Sequence, residues 1–399
     1  MPDETQPAAS RKSSPPDRAK QGDASELSPK ELAEARQYSH LSLKYNLMDK
    51  GLDFLYLFIV AAVFARPVDR WLCQSAILDH WESLRLVVFF FMLTAVHALV
   101  SLPLSWKADY LLEHRFGLSK LSPGRWGLRY LKRLALAVAF GAILILGLYW
   151  IVWITGPWWW IVAAAAFFLV SIVVGQWMPV LILPLFYRIE QLEASELSDR
   201  FRRLSEGTGL SIEGIYRIGL SEETVKGNAM LAGLGRTRRV LLGDTLLDRF
   251  TPDEIEVIFA HEVGHHVLNH IYKLIGAGLV LTSIGFWISD LALASWVVHA
   301  EGVFRYSQLP VSALPMLMLI LSVFGAVLGP LQNAISRHFE RQSDRYALEH
   351  TANSGAYIAA FRKLARLNKD NPDPHWLEVA LFRSHPPISQ RVAMAKKLK

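Results

Sequence analysis

Residues 251–296 read TPDEIEVIFAHEVGHHVLNHIYKLIGAGLVLTSIGFWISDLALASW, and this stretch decides what kind of molecule the chain is. Thr251 is a good helix N-cap, Pro252 suits the first turn, and Glu254 completes a capping box, so a helix is expected from here. Within it, His261 and His265 stand at i and i+4. That spacing puts both imidazoles on one helical face, about a turn apart, where they can reach one ion. Glu262 sits between them, placed to accept a proton from a water at such a site. Without a break by proline, the stretch then becomes an apolar run from Leu274 to about Trp296, long enough to cross a bilayer. A site with metal-ligand spacing thus stands close to a membrane span.

Working outward, the same apolar signature recurs. Other candidate spans are Leu52 to Ala65 (short), Leu86 to Trp106, Leu134 to Ile154, Trp158 to Phe186 (interrupted by Pro179 and Pro184) and Val311 to Leu331. With Leu274 to Trp296 these make six. The chain of 399 residues is 52% hydrophobic and only 20% charged, against roughly 25% charge in soluble domains. The expected fold class is mainly α: a polytopic membrane protein of about six transmembrane helices with a zincin-type α+β domain. Residues 1–35 are polar and Pro-rich and are expected to form a disordered tail. No apolar block follows a basic start, so no signal peptide is expected. The expected division is a membrane domain over 36–186 with four spans, then a second domain over 187–399 that includes the last two spans.

The net charge of +6 would suit a nucleic-acid partner, but its distribution argues for topology instead. With the N-terminus inside, the inner segments (1–51, 107–133, 187–273 and 332–399) hold 38 of the 42 Lys and Arg. Both termini and the soluble parts are therefore expected on the cytoplasmic side. No nucleic-acid partner is expected, only the lipid bilayer and a substrate. The single cysteine, Cys73, excludes an internal disulfide and any cysteine-based metal cluster.

Between the fourth and fifth spans the pattern mixes helix and strand. Glu193 to Glu206 has a helical charge pattern and Ile215 to Ile218 a strand pattern. Asn228 to Leu234 and Arg239 to Leu242 flank Gly235-Arg236-Thr237-Arg238, a hairpin signal. The tip carries Arg236, Arg238 and Arg239, a basic cluster expected to be a solvated turn, with contact to anionic lipid headgroups as the alternative.

A zinc site of this type needs a third protein ligand and an open fourth position. After the sixth span, NAISRHFERQSD at 333–344 places Glu340 and Asp344 at i and i+4 on a second helix. Glu340 can ligate, and Asp344 can hold a ligand imidazole from behind. On a continuous helix His261 stands about 20 Å from Leu274, and Glu340 stands about 14 Å beyond Leu331. Both ligand helices read as extensions of adjacent spans that meet near the inner membrane face. His266 and His270 are not needed as ligands. His97, Gln176 and Asp290 lie within apolar runs and stay unassigned; the Trp158-Trp159-Trp160 triplet reads as an interfacial belt.

Several motifs together resemble the gluzincin-type membrane metallopeptidases, specifically the CAAX prenyl endopeptidase family. They are HEVGHHVLNH at 261–270, NAISRHFERQSD at 333–344, GNAMLAGLG at 227–235 with RRVLLGDTLL at 238–247, SHPPISQR at 384–391 and ADYLLEHRFGLS at 108–119. The resemblance implies one Zn2+ per chain on His261, His265 and Glu340, Glu262 as general base and acid, and Asp344 orienting a ligand. It also implies that His385 and Arg391 steady an oxyanion. Asn228 and the following strand, from Ala229, would dock substrate backbone. Two features depart from the family: the polar tail stands where its first span would be, and Met230 replaces an aromatic of the docking motif. The implied activity is a membrane zinc metalloendopeptidase acting on a peptide or membrane-protein substrate, prenylated in that family, at the cytoplasmic face of the cell (inner) membrane. The alternatives are a general quality-control protease for membrane proteins and a catalytically silent zinc-binding scaffold.

Overall fold

The computed structural model describes residues 27–192, 196–210, 212–233 and 238–398. Residues 1–26 of the expected tail and most of the hairpin tip lie outside these. The tail boundary moves: a helix runs from Pro29 to Ile59, because Ser28 and Glu31 form a capping box and Pro29 opens the first turn. Among the described residues, five helical runs are long and apolar enough to cross a membrane: 29–72, 82–115, 123–185, 270–299 and 311–351. The first expected span is therefore part of a longer helix, continued through a π-turn at Val60–Phe64. The third run turns at Gly156 (φ 57°) and Pro157. Its limbs, Pro123–Thr155 and Trp159–Trp177, pack against each other, so they match the expected third and fourth spans.

The apolar core among the spans collects Phe89, Tyr149, Trp159, Phe286 and Leu314. The triple tryptophan is not a uniform belt. Trp158 is exposed, but Trp159 is fully buried, and its indole N–H donates to Asp290 Oδ1 at 2.6 Å. An indole carries a large apolar body and one donor, so it can cover a half-buried carboxylate as well as face an interface. Asp290 thus has a structural partner, and His97 has one in Asp53 at 3.0 Å.

The mixed domain carries a four-stranded sheet. Its strands are β1 (Ile189–Gln191), β2 (Ile212–Ile218), β3 (Ala229–Ala232) and β4 (Arg238–Gly243), in the order β1-β2-β4-β3. The pair β2/β4 is parallel and the other pairs are antiparallel, which leaves β3 at the edge. The sheet packs on helices Glu196–Ser205 and Pro252–Val267, with Phe201 and Phe259 stacked at 3.9 Å between them. Of the expected basic cluster, Arg238 is buried and Arg239 is paired with Glu213, so neither is a solvated turn charge.

The motif helix begins as expected, with both hydrogen bonds of the Thr251–Glu254 capping box present. It does not run on into the fifth span. It stops at Val267, and Asn269 adopts a left-handed conformation (φ 55°) before a new helix starts at His270. Asn is among the few residues other than Gly that tolerate this region, so a break without proline was available there. The second ligand helix is continuous from Leu314 to Thr351, 38 residues, despite Pro330. At 1.5 Å per residue that is about 57 Å, far more than a bilayer's hydrocarbon core. The two ligand helices approach closely at Gly264, where an added Cβ would stand 3.0 Å from Ser343 Cα.

Candidate metal centre

The close crossing at Gly264 brings residues 261–265 against 340–344. Ligand atoms of His261, His265 and Glu340 all lie within 4.8 Å of one another. His261 Nε2 is 3.2 Å from Glu340 Oε2 and 3.2 Å from His265 Nε2, and His265 Nε2 is 3.3 Å from Glu340 Oε1. Behind this group, Asp344 Oδ1 stands 2.9 Å from His261 Nδ1. Asp344 is fully buried, and a carboxylate only accepts, so it takes the Nδ1–H and turns Nε2 toward His265 and Glu340. Burial weighs against a charge on His261; Asp344 and Glu340 outweigh it and hold its pKa above the usual imidazole range.

These donors suit a divalent cation. Two imidazole nitrogens and a carboxylate converge on one point. Glu340 Oε2 is buried and makes no hydrogen bond of acceptable geometry, although it has two imidazoles beside it. Such an orphaned acceptor is costly unless a cation satisfies it.

The remaining expected residues share one cleft of about 540 Å³ beside the ligands, lined by Glu262, His385, Arg391, Asn228 and Ala229. His385 Nδ1 is 2.7 Å from Glu340 Oε2, and its side chain is largely exposed to the cleft. Asn228 accepts from Gly243 N at 2.9 Å through its backbone oxygen, so β3 starts at Ala229, paired with Leu242. Arg391, lining the same cleft, also reaches behind the ligands. Its Nε donates to Asp344 Oδ2 at 3.0 Å, and its Nη2 is paired with Asp344 Oδ1 and lies 3.4 Å from His261 Nδ1. The guanidinium also stacks over Phe361 at 3.7 Å. Its nearest charged partner is the carboxylate behind the ligand, so its strongest contacts hold Asp344 in place.

Sequence reasoning missed three positioning residues. His270, set aside as unneeded, is fully buried; its Nδ1 is 3.1 Å from His265 Nδ1 and its Nε2 is 2.8 Å from Gln342 Oε1. Its ring stacks on Phe339 at 4.4 Å. The left-handed Asn269 turns His270 back toward the ligand, and a straight-helix projection hides this. Asn333 and Arg337 are the others. Asn333 Nδ2 donates to the carbonyls of Ala380 and Leu381, and Arg337 Nη1 donates to those of Val379 and Arg383, both at 2.7 Å. They pin the segment that leads to His385. Both lie in the 333–344 motif, so its odd polar pattern was the available signal.

Comparison with known proteins bears on the same residues. The profile of peptidase family M48 matches residues 191–399, and that of the CAAX prenyl protease N-terminal region, with five membrane helices, matches residues 6–188. The chain is 30% identical over 388 residues to the uncharacterized metalloprotease YhfN of Bacillus subtilis, covering 94% of this chain and 87% of that one. It is 28% identical to CAAX prenyl protease 1 of Saccharomyces cerevisiae, covering 92% and 86%. The crystal structure of S. mikatae Ste24p has the same fold: TM-score 0.80 at 22% identity, over 92% of this chain and 90% of that one. The family implies a bound metal, and the His261–His265–Glu340 cluster is where these residues could hold it. The chain belongs to peptidase family M48 and is an integral-membrane metalloprotease.

Proposed function

We propose that the protein is a zinc endopeptidase that cuts peptide bonds at the cytoplasmic face of the cell membrane. The observation that carries this reading is the convergence of His261, His265 and Glu340 beside a cleft that also holds Glu262. Two nitrogens and one carboxylate leave room for a water or substrate oxygen, as catalytic zinc sites require. Zinc held there would supply Lewis acidity, polarising a carbonyl and acidifying a nearby water.

Glu262 takes the proton from that water as it attacks the scissile carbonyl, then delivers it to the leaving amine. His385, exposed to the cleft, donates to the oxyanion that develops. Arg391 lines the same cleft and steadies the oxyanion with His385, and it also holds Asp344, which keeps the His261 ring turned toward the ligand cluster. Asn228 and Ala229, at the start of edge strand β3, receive the substrate as an extra strand. In this reading, 36–186 forms a membrane domain and 187–399 the peptidase domain. The excess of Lys and Arg on the inner segments supports a cytoplasmic site.

The name of the Saccharomyces cerevisiae relative, CAAX prenyl protease 1, supports a prenylated substrate. The test uses the full chain purified in detergent, with metal content and peptide cleavage measured for wild type and Glu262→Gln. A prenylated C-terminal peptide and an unmodified membrane protein serve as substrates. Bound zinc in both proteins, with cleavage by wild type alone, is the expected result. A wild type that holds no metal and cuts neither substrate overturns the reading.

A further inference from the structure

We propose that the N-terminal helix forms a second wall of the substrate cleft, on which Ser42 and Asn46 hydrogen-bond the substrate backbone C-terminal to the scissile bond. This rests on the peptidase reading of the same site. Tyr38, Ser42 and Asn46 stand at i, i+4 and i+8, so they share one face of the helix Pro29–Ile59. All three line the cleft that contains His261, Glu262 and Asn228. Among the described residues, the side chains of Ser42 and Asn46 make no hydrogen bond, so their donors and acceptors are unspent.

The wall is fastened on both sides of the cleft. Tyr38 donates to Glu113 Oε1 at 2.6 Å and accepts from Lys226 Nζ at 3.2 Å, and Lys226 is 2.8 Å from Glu113. Lys226 is two residues before Asn228, so this triad ties the helix to the run-in of β3. On the other side, Ser39 bonds Glu378, which takes Arg383 Nη2 at 2.7 Å, two residues before His385. Glu31 and Glu34 add ion pairs to Arg366 and Lys369. A helix so anchored presents its polar row at a fixed distance from the strand opposite.

The direction follows from the strand. An added peptide pairs more favourably antiparallel than parallel to β3. Because β3 runs from Ala229 to Ala232, the C-terminal part of that peptide lies toward Asn228 and Lys226, the end at which the N-terminal helix stands. There an extended substrate has one backbone edge on β3 and the other unpaired. Ser42 and Asn46 offer partners to the free edge, which favours substrates with several residues beyond the cleaved bond and penalises truncated ones.

The test compares wild type, Ser42→Ala, Asn46→Leu, the double variant and a His40→Ala control, each as the full chain loaded with zinc. The substrates are a fluorogenic peptide series extended by one to five residues on the C-terminal side, with kcat, KM and cleavage position read for each. The expected result is that the double variant raises KM about 3- to 10-fold for the long peptides, the loss expected for one or two hydrogen bonds. KM for the shortest peptides, zinc content and the control stay unchanged. Equal KM changes for long and short peptides, or none, overturn the inference while leaving the peptidase reading intact. If zinc-loaded wild type cuts no peptide in the series, the peptidase reading itself fails and the wall has no substrate to bind.

Discussion

Asp344 Oδ1 lies 2.9 Å from His261 Nδ1, and the same carboxylate takes Nε of Arg391 at 3.0 Å, so one buried acid both aims a ligand and neutralises a cation. Asp344→Ala removes both services. It should lower metal affinity about 10- to 100-fold and destabilise the fold by about 3–5 kcal/mol, because Arg391 is left buried and unpaired. Metal titration and thermal unfolding in detergent check the two effects separately.

Glu262 lines the cleft and is not one of the three converging ligands. Glu262→Gln keeps the shape and removes the base, so kcat should fall by about 10²- to 10⁴-fold with zinc content unchanged. A parallel loss of metal would point to a ligand role instead.

His270 touches His265 on the side away from the other ligands. His270→Phe keeps the stack on Phe339 and deletes the polar contact, so metal affinity should fall by roughly tenfold or more while the melting temperature moves little. Competition with a zinc chelator measures it.

Arg337 and Asn333 hold the carbonyls of the segment before His385. Arg337→Met should loosen His385, lowering kcat while leaving zinc content intact. Adding Asn333→Ala should deepen the loss, and limited proteolysis near residues 376–384 should become faster.

Asp244 caps the end of β4, accepting from the backbone N–H groups of Leu220, Ser221 and Thr245 and from the Ser221 hydroxyl. Burial pushes its carboxyl pKa up, but these donors more than offset it and hold the pKa below the usual aspartate range. A depressed native pKa gives stability that is full above the unfolded-state value, near about 4. That stability is lost as pH falls through the native value. Asp244→Asn should be less stable at neutral pH, and the gap from wild type should shrink under acid. Unfolding curves from pH 7 to 3 test this.

How legible was all this? The i, i+4 histidines, the Thr251 cap and the apolar runs are local patterns, set by helical repeat and by bilayer thickness; among the described residues the six expected runs fall within five helical runs, the third and fourth being two limbs of one. Charge asymmetry likewise needs only the order of residues. Spacing by itself made Glu340 and Asp344 a candidate pair one helical turn apart, and the family resemblance supplied their roles.

Tertiary structure decided how these pieces meet. Nothing local says that Asn269 leaves the helical region, since an isolated Asn gains little from doing so; the packing of two helices on either side selects it. That one turn makes His270 a neighbour of His265. Arg391 lines the cleft and also bonds Asp344, because a buried carboxylate draws the nearest buried cation. The helix Pro29–Ile59, expected to be part tail and part short span, is placed beside the cleft by long-range contacts, among them the Tyr38–Glu113–Lys226 triad and ion pairs to residues more than 300 positions away. Local periodicity carries the elements and their chemistry; their mutual placement depends on long-range contacts that no window of sequence contains.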